Sequence, residues 1–256
     1  MYITPTITPY VLLNYEGDIR DVSTLAHELG HAVHDLLTSK HSILTAHPPL
    51  TLAETASVFG EMLLFDNLMK QLKDKKMKKS LLIQKLDDTY ATILRQAYFV
   101  LFEIQAHDMI AKGADLSALN KAYLDNLKEQ FGSFIKVPDE FKYEWTCIPH
   151  IYSSPFYCYS YAFGNLLVFA LYEMYRKEGK SFVPKYLKLL SYGGSESPAK
   201  ILEEVGIDVE DEKFWQGGFD LVKEMLKELK ELELIYFLYA NIIGLEANLQ
   251  KLCLIN

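Results

Sequence analysis

Apolar positions recur at helical spacing over most of this chain. Val22, Leu25, Ala26, Leu29, Val33, Leu36 and Leu37 mark one face of a helix running to about Thr38, with Asp21 or Ser23 available as its cap. A second helix is predicted from near Thr51 to about Lys73, a long one from Ser80 to Lys112, and another from Leu116 to Phe131. Residues 138–155 read as irregular and aromatic, and Tyr157 to Lys177 has the all-round apolarity of a buried helix. Short helices follow over 182–190 and 198–205, split by Gly193-Gly194-Ser195, a small loop free to flex, and an amphipathic helix spans Phe214 to Leu232. The start differs. Ile3 to Tyr15 holds three Thr, two Pro and β-branched residues before Glu16-Gly17-Asp18, the pattern of an edge strand leaving through a turn. The expectation is one mainly α domain over 1–232 with a short β-strand or hairpin near the N-terminus. The tail 233–256 is apolar but has no clear helical stripe.

Composition narrows the function classes. Lys and Arg total 26 against 34 Asp and Glu, a formal charge of −8, and no basic stripe stands out, so nucleic acid is not expected as a partner. The Lys-rich run Lys73 to Lys79 reads as solvated surface. The apolar stretch Leu232 to Leu245 is interrupted by Glu233, Asn241 and Gly244 and is too short to span a bilayer, which takes about 20 apolar residues. Three cysteines without repeating spacing make no disulfide framework. With no basic n-region before Arg20, the expected setting is cytoplasmic.

His27-Glu28-Leu29-Gly30-His31 carries the chemistry. On a helix, residues four apart share a face, so both imidazoles can reach one ion, and zinc is the metal this pattern favours. Glu28 lies beside that pair, where a carboxylate can take a proton from a water that the ion has acidified and pass it to a leaving amine. A catalytic zinc needs a third protein ligand. Leu37 stands where an extended motif would place a third His, and His34, seven residues from His27, could approach only by turning the pair away. Glu54 on the next helix is the stronger candidate, although Thr51-x-x-Glu54 is equally the pattern of a capping box. Glu61, seven residues on, suits either a partner that orients a ligand imidazole or a solvated helix position.

Together, Asp21-Val-Ser-Thr-Leu-Ala-His-Glu-Leu-Gly-His-Ala-Val-His34, Leu52-Ala-Glu54-Thr-Ala-Ser and Ser191-Tyr-Gly-Gly-Ser-Glu-Ser-Pro198 resemble the oligoendopeptidase F family of thimet-oligopeptidase-like zinc metallopeptidases, from about Pro9 to Leu232. The resemblance implies a zincin-type helical lobe whose channel admits short unstructured peptides. It also implies one zinc per chain held by His27, His31 and Glu54, Glu28 as general base, and an N-terminal strand edge offered to the substrate backbone. Residues 147–161 match the family's substrate segment. On that basis His150 and Tyr152 are substrate contacts and Tyr161 the oxyanion donor, with Tyr157 or Tyr159 the rival. Plain aromatic packing is the alternative for a chain with 17 tyrosines.

The family is usually much longer, and the part expected to be missing is the N-terminal half that forms one channel wall. The leading expectation is therefore a zinc-dependent oligopeptidase that cleaves internal bonds of short peptides. The alternative is a non-catalytic zinc-binding remnant, or half of a split enzyme that self-associates or needs a separate N-terminal chain. A zinc carboxypeptidase would need a cation for the terminal carboxylate, and Arg20, Arg95 and Arg176 are the few arginines available.

Overall fold

A computed structural model describes residues 4–232, so the apolar tail 233–256 lies outside the described residues. In chain order the helices are α1 (Ile19–Thr38), α2 (Leu50–Ala53), α3 (Thr55–Gln71), α4 (Lys75–Thr89), α5 (Arg95–Ala111), α6 (Leu116–Phe131), α7 (Pro149–Ser153), α8 (Tyr159–Glu178), α9 (Val183–Leu190), α10 (Pro198–Glu203) and α11 (Glu212–Glu231). A π-helical turn over Tyr90–Leu94 joins α4 to α5, and a 3₁₀ stretch over Asp139–Cys147 precedes α7. The described residues divide into two compact units, one of 4–81 with 164–225 and one of 82–163 with 226–232.

The expected N-terminal strand does not form. Residues 8–16 carry no regular secondary structure. Their side chains alternate as a strand's would: Tyr10 and Leu12 are 79% and 96% exposed, whereas Pro9, Val11 and Leu13 are half-buried. Period-two patterning sets the faces of a strand, but a ladder also needs a neighbour to accept its N–H groups, and the described residues contain no strand at all. Helix α1 also starts earlier than the sequence suggests. Asp18 is the cap, accepting the Asp21 N–H, and the Asp21 carboxylate reaches back to the N–H groups of Glu16, Gly17 and Asp18.

In the first unit α1 and α3 cross unusually closely. A Cβ on Gly30 would stand 2.4 Å from the Ala56 carbonyl oxygen, and one on Gly60 would stand 2.9 Å from that of Ala26. Each helix thus presents a pair of small residues four apart, Ala26/Gly30 against Ala56/Gly60, and the backbones touch through them. Around the crossing, Phe59 packs on Tyr172, Tyr175, Phe182 and Tyr186, and the Tyr186 hydroxyl donates to the Thr55 carbonyl at 2.8 Å. Leu167, Val168, Phe169 and Leu171 on α8 are fully buried, as its all-round apolarity predicts. Gly193-Gly194 is not a flexing loop: the Gly194 N–H donates to the Thr45 carbonyl at 2.9 Å, and a Cβ there would meet the His47 oxygen at 2.3 Å.

The second unit packs α5 on α6, with Phe102, Tyr123 and Leu127 at its centre. Glu144 in the 3₁₀ stretch is tied down twice. It pairs with Arg95 at 2.5 Å and accepts the Tyr123 hydroxyl at 2.7 Å. The Trp145 indole donates to Asn120 at 2.9 Å, so the aromatic segment read as irregular is anchored to both helices.

Two predictions follow from this packing. Gly30→Ala forces α1 and α3 apart and costs about 1–3 kcal/mol of stability, read by urea unfolding, because an added methyl at a backbone contact can be accommodated only by moving a helix. His34 is 4% exposed and donates to the Leu190 carbonyl, and burial with the neighbouring His31 charge lowers its pKa from 6.5 to about 4. The unfolded chain therefore binds the extra proton. The stability contributed by neutral His34 is fully present above about pH 6.5 and is lost as the pH falls toward about 4, on the order of 3 kcal/mol in all. His34→Gln, which keeps a donor for Leu190 but does not titrate, should lose that component when unfolding is compared at pH 7 and pH 5.

Candidate metal centre

The close crossing sets His27 and His31 of α1 against the start of α3. Helix α2 ends after one turn, and Glu54 sits in the break between α2 and α3 with φ −91° and ψ 6°. The capping-box reading does not hold. Pro49 occupies the N-cap of α2, Thr51 lies inside it, and no side-chain cap bond forms there. The Glu54 carboxylate turns instead toward the imidazoles.

Three ligand atoms converge. His27 Nε2 and His31 Nε2 are 3.1 Å apart, and Glu54 Oε2 lies 3.3 Å from each. Donor atoms held about 2.0–2.1 Å from a tetrahedral zinc stand about 3.3 Å from one another, so this triangle has the size of one face of such a site. Among the described residues this is the one group of three or more His, Cys, Asp or Glu side chains able to hold an ion together. His34 is not part of it.

The surrounding groups prepare the three atoms for a cation. The His27 Nδ1–H donates to Glu61 Oε1 at 2.7 Å, which directs the Nε2 lone pair into the triangle. Burial disfavours the His27 imidazolium, but Glu61, with Glu54 and Glu28 nearby, outweighs it and raises the pKa. Burial also pushes Glu54 upward. The hydrogen bond to His31, the Ser57 hydroxyl at 2.6 Å and the charges of His31 and His27 nonetheless bring its carboxyl down to about 2. Glu54 is therefore an anion at any ordinary pH. Glu28 is half-buried beside His27 on the same helix. Sequence reasoning missed Ser57, Gly30 and Gly60. The first is legible only as an i+3 hydroxyl, and the glycines have no local signal because what they contact is another helix.

In the second unit, His150, Tyr157 and Tyr161 come together. His150 stacks on Tyr157 with centroids 5.3 Å apart, Tyr161 meets Tyr157 edge-on at 5.1 Å, and the Tyr161 hydroxyl lies 3.3 Å from His150 Nε2. Tyr152 stands apart from this cluster, 57% exposed and stacked near Trp145, and Tyr159 is 49% exposed.

If Glu61 orients His27, then Glu61→Ala lowers zinc affinity about 10–100-fold in a chelator-competition titration, and Glu61→Gln, which keeps an acceptor, lowers it less.

The profile of peptidase family M3 matches residues 4–221. An oligoendopeptidase F homolog from Borreliella burgdorferi is 34% identical over 228 residues, covering 88% of this chain and 38% of the relative. Oligopeptidase PepF from Bacillus subtilis is 33% identical over 227 residues, covering 88% and 34%. The crystal structure of oligoendopeptidase-F from Enterococcus faecium superposes with a TM-score of 0.73 at 28% identity, covering 84% of this chain and 39% of that one. The chain thus spans under two-fifths of the length of these relatives. With the His27–His31–Glu54 group lying inside the matched region, this chain belongs to peptidase family M3 and is related to the oligoendopeptidases F.

Proposed function

We propose that this chain is a zinc-dependent oligopeptidase acting on internal bonds of short peptides. The observation that carries the reading is the convergence of His27 Nε2, His31 Nε2 and Glu54 Oε2 into one tetrahedral face with Glu28 alongside. His27, His31 and Glu54 would hold one zinc. When bound, the ion supplies Lewis-acid polarisation of the scissile carbonyl and acidifies a water. Glu28 takes the proton from the attacking water and delivers it to the leaving nitrogen, so one carboxylate serves both as base and as acid. Glu61 keeps His27 in the tautomer that offers Nε2.

Within the second unit, we assign substrate contacts to His150 and Tyr152 and a hydrogen bond to the developing oxyanion to Tyr161, with Tyr157 or Tyr159 as rival donors. The Tyr161 hydroxyl lies 3.3 Å from His150 Nε2, and with the imidazole N–H donating to the phenol oxygen the hydroxyl proton is left to donate to the oxyanion. Cys147 and Cys158 are free thiols, in keeping with a reducing, cytoplasmic setting. Among the described residues no helix is long and apolar enough to cross a membrane.

One observation favours the second reading, half of a larger assembly. Leu29, Val33 and Leu36 on α1, with Leu63 on α3 and Val183 and Leu187 on α9, are 39–56% exposed, and all but Leu36 line a groove of about 360 Å³. An apolar surface of this kind is characteristic of an interface with another polypeptide.

Zinc content and hydrolysis of an internally quenched peptide separate the readings. One zinc per chain, with turnover that falls about 10²–10⁴-fold in Glu28→Gln while zinc is retained, is the expected result. Bound zinc without turnover by the unaltered chain selects the half-assembly or remnant, and failure to bind zinc removes both.

A further inference from the structure

The link between α7 and α8 is a sharp turn with an unusual occupant. The Tyr157 N–H donates to the Ser154 carbonyl at 3.1 Å, Pro155 takes the second position and Phe156 the third, with φ +58°. Proline second and a left-handed residue third is the pattern of a type II turn, whose third position ordinarily falls to Gly or Asn because a Cβ crowds the following carbonyl. Phe156 is the single non-glycine residue with positive φ among the described residues.

What offsets that strain comes from α5. Glu103 is 1% exposed, and its Oε1 accepts the Phe156 N–H at 2.8 Å. One helical turn on, the His107 ring lies 4.8 Å from the Phe156 ring. Helix α5 therefore grips Phe156 at both backbone and side chain. The backbone grip is selective. Types I and II differ by a flip of the peptide between the second and third residues, which exchanges the places of the Pro155 carbonyl and the Phe156 N–H. A buried carboxylate facing that peptide attracts the N–H and repels the carbonyl, so it favours the left-handed conformer that Phe156 would otherwise avoid.

The turn carries α7 into α8 and so sets His150, on one side, against Tyr157 and Tyr161 on the other. We propose that Glu103 is a positioning residue which, through the backbone of Phe156, locks the turn that assembles the His150–Tyr157–Tyr161 cluster. Its bearing on catalysis rests on the reading above, in which that cluster meets the substrate.

The test is hydrogen exchange over residues 150–161 together with peptide turnover, in five variants. Glu103→Leu, of similar size and without an acceptor, should speed exchange in this segment at least tenfold and lower kcat at least tenfold with zinc content unchanged. Glu103→Gln, which can still accept, should stay within about threefold of the unaltered chain. Glu103→Leu combined with Phe156→Gly should recover most of the protection, because glycine adopts the left-handed conformation unaided. A purely structural role for Glu103 in the core would show no such rescue. Unchanged exchange in Glu103→Leu, or no recovery in the double variant, overturns the proposal. Should Glu103→Leu fail to fold, Glu103→Asp, whose acceptor is drawn back by one methylene, must exchange faster than Glu103→Gln, and equal exchange overturns it. Tyr161→Phe separates the two claims. Unchanged turnover there, with the expected exchange pattern, removes the catalytic reading and leaves the positioning role standing. Lowered turnover there, with unchanged exchange in Glu103→Leu, does the reverse.

Discussion

The approach of α1 to α3 through Gly30 and Gly60 is the constraint on which the candidate metal centre depends. Imidazole and carboxylate side chains are short. His27 and His31 can meet Glu54 Oε2 at 3.3 Å only if their helices touch backbone to backbone, and a Cβ on Gly30 would leave 2.4 Å to the Ala56 oxygen. The break at Glu54 contributes the rest. A continuous helix from Leu50 onward would hold Glu54 in ordinary helical geometry, whereas ending α2 after one turn lets residue 54 adopt its own φ and ψ and aim at α1. The site is thus built from two backbone features, a close contact and an interruption, and the ligands only decorate them.

Electrostatics explains why such a construction persists in a helical core. Two imidazole nitrogens and a carboxylate oxygen within 3.3 Å of one another place lone pairs face to face. Without a cation they can be reconciled only by sharing protons, and the Glu54 carboxyl, held low by the His31 hydrogen bond and the imidazole charges, is that response, while His27 is raised first by Glu61 and then by the Glu54 charge. A divalent ion bound there would replace those protons and satisfy all three atoms at once. Glu61 serves either state, as acceptor for the His27 Nδ1–H. The buried His34 one turn beyond His31 shows the contrast: burial and the His31 charge outweigh its carbonyl partner and the more distant Glu54, and the same side chain becomes a core residue with its pKa lowered to about 4.

The legibility of this molecule in its sequence follows the range of the interactions involved. The i, i+4 spacing of His27 and His31 is local, and so are the helix stripes; helix α6 runs over the very residues, Leu116 to Phe131, that the apolar pattern marks. Glu54 was ambiguous because capping box and ligand share one pattern, and only the tertiary placement of α1 decides which way its carboxylate turns. Gly30 reads as a poor helix former until its neighbour is known, and Gly193-Gly194 reads as mobile until Thr45 and His47 are packed against it. The N-terminal segment fails for a related reason. Residues 9–14 have the alternation of a strand, but pairing is a property of two segments and one was in view.

A common design joins the two units. In each, the residues proposed to carry chemistry lie beside backbone geometry fixed from a distance: Gly30 lets α3 in, and Glu103 bonds the backbone of Phe156 in a conformation its own side chain opposes. This divides the mutational landscape. Exchanging a group proposed to react, such as Glu28, is expected to remove one function while the close contact of α1 with α3 stays as it is. Exchanging Gly30 or Glu103 keeps every proposed reacting group and is expected to shift those of its own unit relative to one another. A displacement of about 1 Å at such a position is enough to lose most of the chemistry, since ligand and proton-transfer distances tolerate about half of that. In each unit the residues that matter therefore include one outside the proposed chemistry, Gly30 in the first and Glu103 in the second, and the physical argument for them rests on the space and backbone bonds around them.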